Sequence, residues 1–91
     1  MLTKRQQKLL ILIMREGSIN RADAKQIYTN QRSFYTAIKY LKDVTLVGQR
    51  GGKEDRENEP SYELTMNGLV FTMMLANIKL SPEKIREMNT L

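Results

Sequence analysis

The sequence predicts a small α+β domain, mostly helical, with a three-helix core, a two-stranded hairpin and one or two closing helices. Three observations predict it. Ninety-one residues are enough for one hydrophobic core and too few for two. Three helical segments arrive within the first forty-two residues, each marked by a capping residue or a stop signal. Two short strand-like runs then follow, separated by a polar loop that opens with Gly51-Gly52 and closes at Pro60.

The elements can be justified in order. Leu2 to Arg15 contains no Gly or Pro, is rich in Leu, Lys, Gln and Arg, and is followed by the stop signal Glu16-Gly17. Ser18-Ile19-Asn20 reads as a short extended link. Asn20 then caps a second helix from about Arg21 to Tyr28, with Asp23 near its positive end. Thr29-Asn30-Gln31 is a polar turn, and Asn30 caps a third helix that runs through Lys42. Val44 to Arg50 and Ser61 to Leu64 are the two strands of the hairpin. Thr65 caps a fourth helix to about Lys79, and Ser81-Pro82-Glu83 opens a short final one, with proline at the first helical position. Residues 1–64 are expected to form the core of the domain, and residues 65–91 a C-terminal helical part of the same domain.

Composition excludes several classes of function. The chain has no cysteine and no histidine, so it lacks a disulfide framework, a thiolate nucleophile and the usual zinc, copper and haem ligands. No metal and no cofactor is expected. Gly48 to Lys53 lacks the spacing of a phosphate loop, because Val47 stands where its first Gly belongs and Glu54 where its Ser or Thr belongs. Asp55, Glu57 and Glu59 alternate as in a calcium loop, but Pro60 replaces the necessary Gly and Met66 the closing Glu. No carboxylate pair falls in an apolar setting, so an enzyme is not expected. The longest purely apolar run, Leu9 to Met14, is far short of the roughly 20 residues that span a bilayer. A cytoplasmic, unprocessed protein with no membrane partner is expected.

The distribution of charge is more informative than the net +5. Met1 to Lys42 carries nine basic residues against Glu16 and Asp23, a local balance of +7. Asp43 to Glu63 carries six acids against three bases, a balance of −3. A basic first half fits either a polyanionic partner or a solvated surface with none.

The order helix, short extended link, helix, turn, helix, hairpin is that of a winged helix-turn-helix domain. The segment Tyr62-Glu63-Leu64-Thr65-Met66-Asn67-Gly68 is similar to the Tyr-x-Leu-Thr-x-x-Gly that joins the second wing strand to the next helix in small winged-helix transcription regulators. Over nearly its whole length the chain resembles archaeal and bacterial regulators of the MarR and PadR type. The resemblance implies a third helix set in the DNA major groove, a wing that touches backbone or minor groove, and a homodimer.

Residue chemistry can be read independently of that resemblance. At 100° per residue, Phe34, Ala37, Ile38 and Leu41 fall on one side of the third helix and face the core, whereas Arg32, Tyr35, Thr36 and Lys39 fall on the other. Arg grips guanine O6 and N7, Thr offers a hydroxyl and a methyl, Lys meets phosphate or guanine, and Tyr bonds phosphate or packs on sugar. These four are the candidate base-reading residues; the bland alternative is that any exposed helix face is polar. Arg21 and Lys25 on the second helix, Asn30 and Gln31 at the start of the third and Lys42 near its end are candidate backbone contacts. Lys4, Arg5 and Lys8 cluster on the first helix, where they reach DNA only if a dimer brings them round, or stay a solvated face. Arg50 and Lys53 are the candidate wing contacts, although Glu54, Asp55, Glu57 and Glu59 beside them repel DNA and a solubilising loop is an equal reading.

Two helices carry more apolar surface than a monomer of this size can bury. Leu2, Leu9, Leu12 and Ile13 share one side of the first helix, and Leu10, Ile11 and Met14 lie on its flank and back. On the fourth, Met66, Leu69, Met73 and Ala76 are expected inside, with Val70, Phe71, Met74 and Ile78 on a second face. Together with Ile85 and Met88, the surplus residues of both helices form a candidate homodimer interface. A twofold dimer would set its recognition helices about 34 Å apart, for half-sites roughly 10 base pairs apart. A monomer covered by its last helix, or a hydrophobic ligand on the Met-rich helix, are the alternatives. The expected function is sequence-specific binding of double-stranded DNA by a homodimeric repressor, with no small-molecule effector indicated. A winged-helix protein-protein interaction module and a non-specific architectural protein are the competing readings.

Overall fold

The computed structural model describes residues 2–52 and 59–78. Lys53, Asp55, Glu57, Ile85, Met88 and the helix expected from Ser81 lie outside them. Helix α1 spans Lys4–Glu16. It starts later than the periodicity suggested because Thr3 caps it. The Thr3 hydroxyl accepts the Gln6 N–H at 3.1 Å, and the Gln6 side chain accepts the Thr3 N–H at 2.9 Å, which satisfies two orphan donors reciprocally. Gly17 ends the helix at φ 87°, donating its N–H to the Ile13 carbonyl at 2.8 Å.

The link after Gly17 is a strand in its own right. Strand β1 (Ser18–Ile19) pairs antiparallel with β3 (Ser61–Leu64), which pairs in turn with β2 (Val47–Arg50), so the sheet has three strands in the order β1-β3-β2. Two residues cannot advertise a strand by alternation; β1 exists because its partner is there.

The second helix expected over Arg21 to Tyr28 is a correction. The chain forms a 3₁₀ helix at Ala22–Ala24 and one further turn, closed by the Tyr28 N–H on the Ala24 carbonyl at 2.9 Å. Its cap is the expected one: Asn20 and Asp23 exchange side-chain-to-backbone hydrogen bonds at 2.9 and 3.0 Å. With only eight residues between Asn20 and Thr29, a longer helix does not recover its nucleation cost.

Helix α2 spans Gln31–Asp43, capped by Asn30, whose side chain accepts the Ser33 N–H at 3.1 Å. Phe34, Ala37, Ile38 and Leu41 are all buried, as their spacing requires. The core they enter is completed by Leu9, Ile13, Ile19, Ala24, Tyr28, Val47 and Tyr62. It also contains Leu10, which is fully buried and therefore not available to a dimer interface. Helix α1 is flanked by the sheet on one side and α3 (Met66–Ile78) on another, so its wide apolar stripe, Leu10 included, finds partners within the protomer.

The hairpin begins three residues later than expected, because Val44-Thr45-Leu46 is used to stop α2. The Leu46 N–H donates to the Leu41 carbonyl at 2.9 Å and the Thr45 N–H to the Lys42 carbonyl at 3.0 Å, with Thr45 in the left-handed region at φ 63°. This is a Schellman stop with a β-branched residue where glycine is usual. The strand-to-helix segment then locks onto it. The Thr65 N–H donates to the Leu46 carbonyl at 3.1 Å, and the Thr65 hydroxyl donates to the Thr45 carbonyl while accepting the Gly68 N–H at 3.0 Å. Gly68 is buried against the same backbone, where a Cβ would collide with the Leu46 carbonyl.

Helix α3 is turned differently from the expectation. Gly68 and Thr72 are its buried residues, with Leu75 and Ala76 half-buried, whereas Met66, Leu69 and Met73, expected inside, are exposed. The close approach at Gly68 decides this, because it brings a line of small side chains against the core and leaves the large ones outside. Val70, Phe71 and Met74 are exposed as well, so the apolar arc facing away from the protomer spans about 200° of the helix.

Replacing Gly68 by Ala should therefore destabilise the fold by about 2 to 3 kcal/mol, read as a lowered midpoint of urea unfolding. The opposite sign is expected for Thr45→Gly, which relieves a left-handed β-branched residue and should raise stability by about 1 kcal/mol in the same measurement.

Candidate nucleic-acid interface

The outward face of α2 is built by the burial of its inward face. With Phe34, Ala37, Ile38 and Leu41 fixed in the core, Arg32, Tyr35, Thr36 and Lys39 must point away from it, and all four are exposed. With Gln31 they surround a shallow hollow of about 570 Å³ that has no carboxylate in its lining. Tyr35 is held edge-on against Phe34 at 5.1 Å between ring centroids. The Thr36 hydroxyl donates to the Arg32 carbonyl at 2.9 Å, which leaves its oxygen as an acceptor and its methyl free for apolar contact. Asp43, at the far end of the helix, is exposed but stands apart from this hollow.

The residues expected around that face are placed in three ways. Lys25, Asn30 and Gln31 are exposed. Lys42 is half-buried and donates from Nζ to the Gln49 Oε1 at 2.8 Å, while the Gln49 amide donates to the Gly51 carbonyl at 3.0 Å, so the end of α2 is tied to the hairpin. Arg21 is turned toward the core. Its guanidinium lies 5.0 Å from the centre of the Phe34 ring, Nη2 donates to the Thr29 carbonyl at 3.2 Å, and Nη1 is covered by protein. Such an arginine braces the turn before α2 against the ring at its centre, and is not presented to a phosphate.

On the hairpin, Arg50 pairs with Glu63 at 2.9 Å diagonally across β2 and β3, since Arg50 stands opposite Ser61 and Glu63 opposite Gly48; the Arg50 side chain is largely exposed and that of Glu63 partly so. An exposed pair of this kind is worth little and is easily exchanged for another anion. Among the acids of the hairpin loop, Glu59 is exposed.

A second basic groove lies beside the first and was not legible from spacing. Arg5 and Gln6 of α1 share it with Arg32, Ser33 and Thr36 of α2, around a volume of about 330 Å³. Arg5 sits 4.9 Å over the Tyr28 ring. It thus lies beside α2 of its own chain and needs no dimer to bring it there. Lys8, on a different flank of α1, lines a groove with Arg15 and Asp23 instead.

Two phenols in this neighbourhood are shifted. Burial pushes the Tyr28 phenol above its usual range, with the nearby Arg5 charge and the Thr3 hydroxyl pulling it partly back. Burial also raises that of Tyr62, with the Tyr35 phenol close by adding to the rise. Both are neutral near pH 7, so Tyr28 offers Arg5 a neutral π face.

No protein-family model matches the sequence, and no curated protein does. Solved structures do. NadR in complex with 4-hydroxyphenylacetate is similar with a TM-score of 0.72 at 17% identity, over 84% of this chain and 54% of NadR. BpsR of Bordetella bronchiseptica, whose DNA binding is regulated by 6-hydroxynicotinic acid, gives 0.71 at 18% identity, over 98% of this chain and 71% of BpsR. A mutant MarR from E. coli complexed with operator DNA gives 0.69 at 14% identity, over 98% of this chain and 71% of MarR. This chain has a winged-helix fold of the MarR type. At these identities the likeness is one of fold, and the chain spans only about half the length of NadR. In the winged helix, α1, the 3₁₀ turn and α2 make the core, and β2 and β3 make the wing.

Proposed function

We propose that this protein is a sequence-specific double-stranded DNA-binding transcription regulator. It acts as a homodimer that represses by occluding a promoter. The observation that carries the reading is the outward face of α2: two cations, a phenol and a hydroxyl around an open hollow without a carboxylate, on a helix whose other face is locked in the core. Arg32 has the bidentate geometry for guanine, Thr36 suits thymine or a base donor, Lys39 suits guanine or phosphate, and Tyr35 suits phosphate or sugar. Lys25, Asn30, Gln31 and Lys42 serve as backbone contacts. Arg50 serves as a wing contact once phosphate displaces Glu63. Arg21 is withdrawn from that role and positions α2 instead. The fold has been seen on operator DNA in MarR, which supports the same use here. NadR and BpsR are described with small aromatic acids, but the reading proposed for this chain requires no effector.

A second copy of the chain is the proposed partner of α3. Six large apolar side chains exposed on one helix exceed what a soluble monomer leaves to water, and a twofold axis lets one such surface cover another. Met14, half-buried on α1, shares a groove with Met66 and Leu69 and extends that surface, whereas Ile11, also half-buried, lines the groove with Lys8 and Arg15.

Fluorescence anisotropy across a salt series tests the DNA reading, with a duplex selected from a random pool compared with unselected duplex of equal length. A preference of about a thousandfold is expected. Arg32→Ala should cost about 1 to 3 kcal/mol and relax one base position, whereas Lys25→Ala should weaken all sequences alike and lower the salt slope by about 1. Equal weak binding to both duplexes would favour an architectural protein, and no binding at all an interaction module. Val70→Glu and Met74→Glu, at side chains 52% and 62% exposed, should convert a dimer to a monomer in sedimentation equilibrium with an unchanged circular dichroism spectrum. A wild-type protein that is already monomeric would remove the dimer from the proposal.

A further inference from the structure

We infer that Arg5, at the start of α1, binds a backbone phosphate of the same DNA duplex that α2 reads, in the groove it shares with Arg32. This rests on the DNA-binding reading above and extends the interface to an element outside the helix-turn-helix.

The groove has the composition of a phosphate site. Two guanidinium groups flank it, one from α1 and one from α2, and its remaining polar lining is hydroxyl and amide. No carboxylate lines it. The only ion pair among the described residues is Arg50 with Glu63, on the wing, so neither Arg5 nor Arg32 is neutralised by a neighbour there. Two of the helix-terminal amides, those of Thr3 and Gln6, are already taken up by the capping box. The site depends on Arg5.

Arg5 is also held in place. Its guanidinium lies over the ring of Tyr28, with Cζ 4.9 Å from the ring centre, and Tyr28 is itself buried in the core and packed edge-on against Phe34 at 6.3 Å. A guanidinium attracted to a ring face keeps its charge and still carries N–H donors for a phosphate. A free arginine would lose side-chain entropy on binding; one already laid on a ring loses less. The neutral Tyr28 phenol preserves that π face at physiological pH.

Position completes the inference. The groove opens beside Arg32 and Ser33, at the N-terminal end of α2, whereas the wing is tied to the C-terminal end through Lys42 and Gln49. Over the 13 residues of α2 these ends are about 20 Å apart. A duplex whose major groove receives α2 therefore meets Arg5 on one flank and the wing on the other.

The test compares wild type, Arg5→Ala and Lys8→Ala on the selected duplex and on random duplex of equal length, each across a salt series. Arg5→Ala should weaken both duplexes about tenfold and lower the slope of log K against log salt by about 0.9, while Lys8→Ala leaves both unchanged. A set of duplexes with single methylphosphonates should contain one position that weakens wild type but no longer weakens Arg5→Ala. Unchanged binding by Arg5→Ala overturns the inference and leaves the DNA reading standing, as does a loss without a change in salt slope, which would mean that Arg5 acts only through the packing of Tyr28. Wild-type protein that binds neither duplex defeats the DNA reading first, and the inference with it.

Discussion

The ring of Phe34 is where the core, the turn before α2 and the outward face of α2 meet. It is wholly buried, and Tyr28, Tyr35 and Tyr62 approach it edge-on, while the Arg21 guanidinium covers it from the turn before α2. These neighbours come from the 3₁₀ segment and the turn after it, from α2 itself and from β3, so one side chain joins α2 to the elements on two sides of it. Edge-to-face contacts are directional, and several of them on one ring specify rotation as well as burial. Tyr35 is thereby placed at the rim of the outward face and Tyr28 beneath Arg5. The polar groups proposed to touch DNA stand directly on this aromatic cluster, where a small displacement inside becomes a displacement outside.

A second constraint sets the wing and α3. Helix α2 ends on a left-handed Thr45, and the carbonyls exposed by that turn are taken up by Thr65, the residue that ends β3 and begins α3. One side chain thus seals the turn at the end of α2 and caps the next helix. The segment Tyr62 to Gly68 has a physical role at each named position: Tyr62 packs on Phe34, Leu64 on the core, Thr65 caps, and Gly68 permits close approach to Leu46. The same approach turns α3 so that its small residues face inward, which leaves the large apolar residues exposed. The proposed dimer surface is in this sense a consequence of a glycine.

Electrostatics divides the molecule along the same lines. The grooves beside α2 are lined by arginine, lysine, hydroxyls and amides, whereas the acids of the described wing are Glu63, paired with Arg50, and Glu59. A polyanion approaching α2 meets uncompensated positive charge first, and among the described residues of the wing Arg50 contributes its cation by exchanging one anion for another. Proximity to α2, more than net charge, therefore separates the proposed phosphate contacts from solvated cations.

Much of this was present in the sequence, because its causes lie within a few residues of one another. The caps at Asn20, Asn30 and Thr65, the stop at Gly17, the buried face of α2 and the strand Ser61 to Leu64 each follow from local hydrogen bonding or from helical and strand periodicity. Periodicity also placed Arg32, Tyr35, Thr36 and Lys39 on one face. Contacts between distant segments had no such signal. The strand β1 is made by β3, the second helix shrinks to a 3₁₀ turn, Leu10 is enclosed between neighbours of α1, and Arg21 turns inward onto a ring thirteen positions away. Arg5 and Arg32 share a groove although twenty-seven positions separate them. The sequence by itself determined which elements form and which faces are polar, since those depend on neighbours along the chain. Only the tertiary structure decided which of those faces touch, because packing of Phe34 and the approach at Gly68 select one arrangement among the many that the same local pattern allows.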